Sequence, residues 1–290
     1  MTRIKVAAVA AGLAMVAAGC GDAGSSGGET RDVEADENAE FESGTRMAEL
    51  NEQGSIKIGV KFDQPGIGFK GASEDEPVGF DVEIGKILAA DLGIAPEDIE
   101  WVETISDNRE PFLEEGEVDL VVASYSITEE RRQVVGQAGP YYETGQQLLV
   151  RSDSDISTVE DIKGTEVCSV TGSTSLENIE AEGATARGFD TYSECVDQVL
   201  NGSLDAMTTD GAILLGYAAE DPDNLKVVVE PFSEERYGVG YSKDAPEMCD
   251  FINDSLETAA EDGSYDEAFE ITLGESGVET PELPALDPCA

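Results

Sequence analysis

Residues 79–92 read GFDVEIGKILAADL. Phe80, Ile84, Ile87, Leu88 and Leu92 recur at helical spacing and share one face, with Asp81, Glu83 and Lys86 off it. Just upstream, 55–60 (SIKIGV) alternates apolar and polar residues as a strand does. Downstream, 100–103 and 118–123 (VDLVVA) read as strands and 111–115 as a short helix. Further strand patterns at 146–150, 166–170 and 225–229 interleave with helical patterns at 175–182, 192–201, 211–219 and 246–262. Strands alternating with helices predict parallel βαβ units and an α/β protein. The segments 141–145 (YYETG) and 236–238 (RYG) bracket the second series and read as crossings between two lobes. One lobe is then continuous, 141–238, and the other is assembled from 54–140 plus 239–290. Two crossings of this kind allow hinged closure over a cleft.

The N-terminal end reads as a processing signal. Arg3 and Lys5 precede an unbroken run of apolar and small residues, 6–18, about the length of a signal-peptide core and too short to span a bilayer. The run closes on VAAGC at 16–20, small residues before a cysteine, which is what a lipoprotein signal peptidase accepts. It resembles a bacterial lipobox, with Ala17 where Leu is commoner. Residues 1–19 are therefore expected to be removed and Cys20 to carry a palmitate-type lipid. That places the protein on the extracellular face of a bacterial cell membrane, held there by the lipid alone. Residues 21–45 are rich in Gly, Ser, Glu, Asp and Asn, with Val33 and Phe41 as the only sizeable apolar side chains. Such a stretch cannot bury enough surface to offset its ordering entropy, and a disordered acidic linker is expected over 20–53.

The formal charge is −46, and −48 once Arg3 and Lys5 leave with the signal. That balance argues against nucleic acid, or an anionic membrane met through the protein surface, as a partner. It also makes any basic residue in a cleft conspicuous. The chain has no histidine, which removes Ser-His-Asp and Cys-His nucleophiles and most zinc sites; no metal or cofactor is expected. Beyond Cys20 four cysteines remain, and in an oxidising compartment an even remainder suggests disulfides. Of three possible pairings, Cys168 with Cys195 and Cys249 with Cys289 keeps each pair inside one lobe. The run Gly66-Ile67-Gly68-Phe69-Lys70-Gly71 matches GxGxxG, but ASEDEP follows at 72–77 where a dinucleotide site needs an apolar helix to open. A loop is the better reading.

GFDVEIGKILAADL resembles the signature of the family 3 extracellular solute-binding proteins of ABC importers, and within them the glutamate-binding lipoproteins. Further matches follow in the family's order: Val118-Asp119-Leu120, 126–131 (SITEER), Pro140-Tyr141-Tyr142, 171–175 (TGSTS) and 205–210 (DAMTTD). The resemblance spans about Ser55 to Gly274. It implies a two-lobed type II periplasmic-binding-protein fold with two hinge crossings, a permease as partner, a monomer and no catalysis. It further implies that Arg131 grips a ligand α-carboxylate through a bidentate fork, and that Ser124 and Ser126 meet the ammonium and carboxylate. On the second lobe, Thr174 stands at a helix N-terminus, where free N–H groups favour a carboxylate; its spacing to Glu177 is that of a capping box. Asp210 occupies the position that pairs with the ligand's ammonium. Lys61, Ser106 and Arg109 would choose the side chain. Three cations and one acid complement L-glutamate; aspartate, glutamine and other polar amino acids are the alternatives. A dehydratase acting through a cleft carboxylate on the same fold is the rival of another class, and the lack of histidine weighs against it.

Overall fold

The computed structural model describes residues 30–31, 33–276 and 278–289; the expected signal peptide and Cys20 lie outside them. Along the chain run α1 (Arg46–Gln53), β1 (Ile56–Val60), the hairpin β2 (Asp63–Gln64) and β3 (Gly68–Phe69), α2 (Phe80–Asp91), β4 (Ile99–Glu103), α3 (Arg109–Glu115) and β5 (Leu120–Val121). The long β6 (Gly136–Thr144) passes into β7 (Gln146–Arg151), followed by β8 (Glu166–Val170), α4 (Thr174–Ala181), β9 (Thr185–Phe189) and α5 (Tyr192–Leu200). Then come β10 (Ala206–Asp210), α6 (Gly211–Glu220), β11 (Leu225–Val228), β12 (Glu235–Tyr241), α7 (Met248–Asp262) and α8 (Ser264–Glu270).

These strands form two five-stranded sheets, β4-β1-β5-β12-β6 and β11-β7-β10-β8-β9. β1 lies parallel to both neighbours, whereas β12 runs antiparallel to β5 and β6. In the second sheet β8 is parallel to β9 and β10, and β7 is antiparallel to β10 and β11. The chain leaves the first sheet through β6 and returns through β12, and these two crossings pair with each other: Thr144 opposes Glu235, Glu143 opposes Arg236 and Tyr142 opposes Tyr237. Both disulfides form, Cys168–Cys195 in the second lobe and Cys249–Cys289 in the first. No helix among the described residues is long and apolar enough to cross a membrane.

The helix quoted from the sequence is α2, but its polar residues do not face water. Asp81, Glu83 and Lys86 are buried with the apolar face, because α2 lies between β1 and the pair α7 and α8. A buried charge needs partners. Lys86 Nζ bonds Glu83 Oε1 at 2.8 Å, and Asp81 accepts from the Tyr141 hydroxyl at 2.6 Å and the Ser124 amide at 2.7 Å. Phe80 meets Tyr141, Tyr142, Tyr265 and Phe269, all between 5.3 and 6.0 Å. The GxGxxG run forms the turn after β2, then β3 and its exit, so two residues of the expected loop are a short strand and no helix opens on the glycines. Gly79 must be glycine: its φ is 123°, and a Cβ there would lie 2.4 Å from the Ile67 carbonyl oxygen.

The linker expectation over 20–53 needs correction for its second half. Residues 46–53 form α1, capped by the Thr45 hydroxyl, which accepts from the Ala48 amide. Arg46 bonds Asp119 at 2.6 Å, and the Asn51 amide donates to the Leu92 carbonyl. Upstream, the Asp36 amide donates to the Ala90 carbonyl, and Phe41 meets Phe251 edge-on at 5.9 Å. Phe41 and Leu50 provide the apolar burial that composition averaged away.

Candidate ligand-binding cleft

The first lobe concentrates three cations where the C-terminal ends of its strands face the second lobe. Lys61 directly follows β1, is buried, and donates from Nζ to Ser106 Oγ at 2.8 Å. Ser106 opens a 3-10 turn, Ser106–Asn108, that leads into Arg109, the first residue of α3. Arg109 is buried and donates from Nε to the Ser106 carbonyl at 3.1 Å. Its Nη1 donates to the carbonyls of Ala123 and Ser124, each at 3.3 Å, and its Nη2 to the carbonyl of Gly172, across the seam, at 3.0 Å. Arg131 begins the 3-10 turn Arg131–Gln133; its Nη1 donates to the Ser126 carbonyl at 2.8 Å and its Nη2 to the same Gly172 carbonyl at 2.9 Å. Both guanidinium groups lie over the Tyr125 ring, 4.6 and 5.0 Å from its centre, where the face of the π system attracts cations.

Ser124 has φ 42°, a left-handed backbone that favours glycine. Its amide bond to Asp81 Oδ2 over-determines that conformation and offsets the strain. This holds serine in a backbone conformation that glycine adopts more readily. Ser124 Oγ accepts from Gln64 Nε2 at 3.0 Å, while Gln64 Oε1 is buried without a partner.

The second lobe contributes Gly172, the α4 N-terminus and Asp210. Gly172 has φ 77°, and a Cβ there would fall 2.9 Å from the Asp107 Cα, so the lobes meet backbone to backbone. The helix cap is Ser173 rather than Thr174: Ser173 Oγ accepts from the Leu176 amide at 3.1 Å, and helical residues begin at 174. The capping spacing therefore starts one residue earlier than the sequence suggests. Thr174 instead turns its hydroxyl to Glu235 Oε2 at 3.0 Å, on a crossing strand. Asp210 ends β10 and accepts from the Tyr237 hydroxyl on Oδ2 at 2.7 Å; its buried Oδ1 has no partner.

Burial, and then the neighbouring charges, moves the protonation of these groups. Burial, reinforced by the Arg109 charge, lowers Lys61 to about 7 against the opposing pull of Asp63 and Asp81. Burial, then the Arg131 charge, lowers Arg109 to about 10. Burial and the nearby Glu235 raise Asp210 to about 7, opposed by the Tyr237 hydrogen bond, Arg109 and Arg131. Asp81 rises to about 7 through burial, against its bonds to Tyr141 and Ser124. A ligand ammonium beside Asp210 and a carboxylate beside Lys61 would each relieve an unfavourable burial.

The structure thus brings Lys61, Ser106, Arg109, Ser124, Ser126 and Arg131 together on one lobe and sets Thr174 and Asp210 on the other. A groove of about 480 Å³ opens beside Arg131, lined from both lobes by residues including Ser106, Glu110, Thr128, Gly172 and Thr174. Sequence reasoning missed Gln64, Tyr125, Tyr237 and Glu110. It also counted one acid. Glu110 Oε1 pairs with Arg131 Nε at 3.1 Å, and Asp81 lies behind Ser124, so the three cations face more negative charge than Asp210 alone.

Two α/β lobes joined by paired crossing strands, with opposed polar groups buried along the seam, define a two-lobed binding protein of the type II periplasmic kind. Comparison with known proteins narrows the class. The chain belongs to the bacterial extracellular solute-binding proteins, family 3, whose pattern matches residues 56–275. It is 40% identical over 247 residues to the glutamate-binding protein GluB of Corynebacterium efficiens, covering 81% of this chain and 84% of that one. It is 36% identical over 265 residues to the glutamine-binding protein GlnH of Bacillus subtilis, covering 90% and 93%. Among solved structures, an ancestral arginine-binding protein bound to arginine superposes with a TM-score of 0.69 at 35% identity, covering 75% of this chain and 97% of that one.

Proposed function

We propose that the protein captures L-glutamate in this cleft and presents it to the permease of an ABC amino-acid importer, without catalysis. The observation that carries the reading is the pairing of a buried cation cluster (Lys61, Arg109 and Arg131) with the unpartnered Asp210 Oδ1 on the opposite lobe. In this reading Arg131 takes the α-carboxylate, with Ser126 beside it. Asp210 takes the ammonium, with the Ser124 carbonyl. Lys61, Ser106 and Arg109 take the side-chain carboxylate, and Thr174 closes the site from the α4 end. The likeness to GluB supports glutamate, and the cluster disfavours a cationic ligand. Lobes 54–140 plus 239–290 and 141–238 close about 141–145 and 236–238, driven by ligand contacts made only when both lobes engage. The protein acts as a monomer on the extracellular face of the membrane, tethered by a lipid on Cys20 after removal of 1–19.

Calorimetry with all twenty amino acids tests the ligand. Glutamate should bind tightest, and at roughly 1.5–3 kcal/mol per charge-assisted bond Arg131→Ala should weaken it at least tenfold. A preference for glutamine or arginine would refute the roles of Lys61 and Arg109. An unimpaired Arg131→Ala would refute the anchor.

A further inference from the structure

The C-terminal segment is tied to α7 by Cys249–Cys289 and lies along β6. There the Asp287 amide donates to the Gly139 carbonyl at 2.7 Å. Asn253 locks the same place, accepting from the Gly139 amide and donating to the Asp287 carbonyl, each at 2.9 Å. The Asp287 carboxylate then joins two guanidinium groups: Arg132 Nη2 at 2.6 Å, and Arg236 Nη2 and Nη1 at 2.7 and 3.3 Å. Glu143 also approaches Arg236, at 3.6 Å. The two arginines hold the Asp287 carboxyl below the usual range, against the opposing effect of its burial.

Those two arginines mark the ends of the structure that the cleft depends on. Arg132 directly follows Arg131. Arg236 directly precedes Tyr237, whose hydroxyl holds Asp210. Between them, the segment carrying Ser124 and Ser126 is stitched to β12: the Ile127 amide donates to the Arg236 carbonyl at 2.8 Å, and the Gly238 amide to the Tyr125 carbonyl at 2.9 Å. An isolated, partly exposed ion pair contributes little. Here one carboxylate bridges two cations from a covalently tethered segment, and it closes a loop of contacts that contains both anchors. We propose that Asp287 is a positioning residue for ligand binding, which fixes the Arg131 turn and the Tyr237 strand relative to each other. The role rests on the reading of Arg131 and Asp210 as ligand anchors. Prearranged anchors lose less freedom on binding, and that raises affinity.

The test compares wild type, Asp287→Asn, Asp287→Glu and the double variant Cys249→Ser/Cys289→Ser by calorimetry with L-glutamate, with thermal melts and amide exchange on the unliganded proteins. Asp287→Asn should bind about fivefold or more weakly, in the range of ordinary coupling between sites. Asp287→Glu should recover most of that loss, and the double serine variant should weaken binding in the same direction. Amides at 127–132 and 235–238 should exchange faster in Asp287→Asn than in wild type. Unchanged exchange there overturns the proposal whichever amino acid the cleft takes. So does an Asp287→Asn that binds as wild type, or an Asp287→Glu as weak as Asp287→Asn, since the tail would then act by packing alone. Arg131→Ala with normal affinity would remove the anchor and overturn the role by a separate route.

Discussion

Lys61→Met separates what the cleft costs the fold from what it does for the ligand. In the folded chain Lys61 falls from 10.5 to about 7. At 1.36 kcal/mol per unit, burying its charge costs up to about 5 kcal/mol. Methionine gives up the Ser106 hydrogen bond, worth roughly 1.5 kcal/mol. Water reaching Lys61 whenever the lobes part reduces the gain further, so a net stabilisation of about 1–3 kcal/mol is expected near neutral pH. For a domain of this size that corresponds to about 3–10 °C in melting temperature. The sign follows from linkage: between about 7 and 10.5 the unfolded state binds the extra proton, so wild-type stability contributed by this group rises with pH across that window. Lys61→Met lacks the rise, and its advantage should have vanished by about pH 10. Calorimetry on the same variant should show glutamate weakened roughly 10- to 100-fold and glutamine little changed. A variant that melts below wild type at pH 7 would refute the burial argument. Equal losses for glutamate and glutamine would refute the assignment of Lys61 to the side chain.

Three further outcomes follow from the same geometry. With the proposed roles, glutamate would need Lys61 protonated and Asp210 ionised, so affinity should peak near pH 7 and decline on both sides, whereas glutamine should show only the acidic decline; calorimetry from pH 5 to 9 checks both. A flat profile for glutamate would count against both assignments. Gly172→Ala should weaken ligand at least tenfold, because its Cβ would meet the Asp107 backbone where the lobes touch, and should also lower the melting temperature by about 2–8 °C, because alanine at φ 77° costs roughly 1–2 kcal/mol by itself. Cells expressing Cys20→Ala should shed the protein into the medium and incorporate no labelled palmitate, where wild type is retained and labelled.

Much of the architecture was legible because it is local. The alternation at 55–60 and the helical spacing at 79–92 each became the expected element, and the cysteines paired as lobe membership suggests. The candidate site was proposed through position along a family pattern, not through chemistry, since nothing local marks Asp210 among 63 acids. What escaped depends on partners far apart in sequence. Asp81 is separated by 43 residues from Ser124 and by 60 from Tyr141, so a polar helix position could not be recognised as buried. Tyr237 and Asp210 sit on different strands of different sheets. Gln64 reads as a hairpin residue until Ser124 is folded against it. Ser173 and Thr174 offer equivalent caps, and only the backbone turn at 173 decides between them.

If Cys20 carries the proposed lipid, the docking of Arg31 and residues 33–53 on the first lobe alters the geometry of attachment. If all of 20–53 were free, the body could roam about 110 Å from a lipid on Cys20, at roughly 3.3 Å per residue. Arg31 donates to the Ser264 carbonyl and to Glu267, so the contour length of 20–30 bounds how far the body could sit from a lipid on Cys20. The excursion would then be at most about 35 Å. Accessible volume scales with the cube of that radius, so the protein would be confined to roughly a thirtieth of the space the longer tether allows. With a lipid on Cys20, the same pinning would turn the edge bearing α8 toward the bilayer. A tethered binder becomes one with a preferred underside, and its exchange with a membrane partner becomes a matter of rotation more than of search.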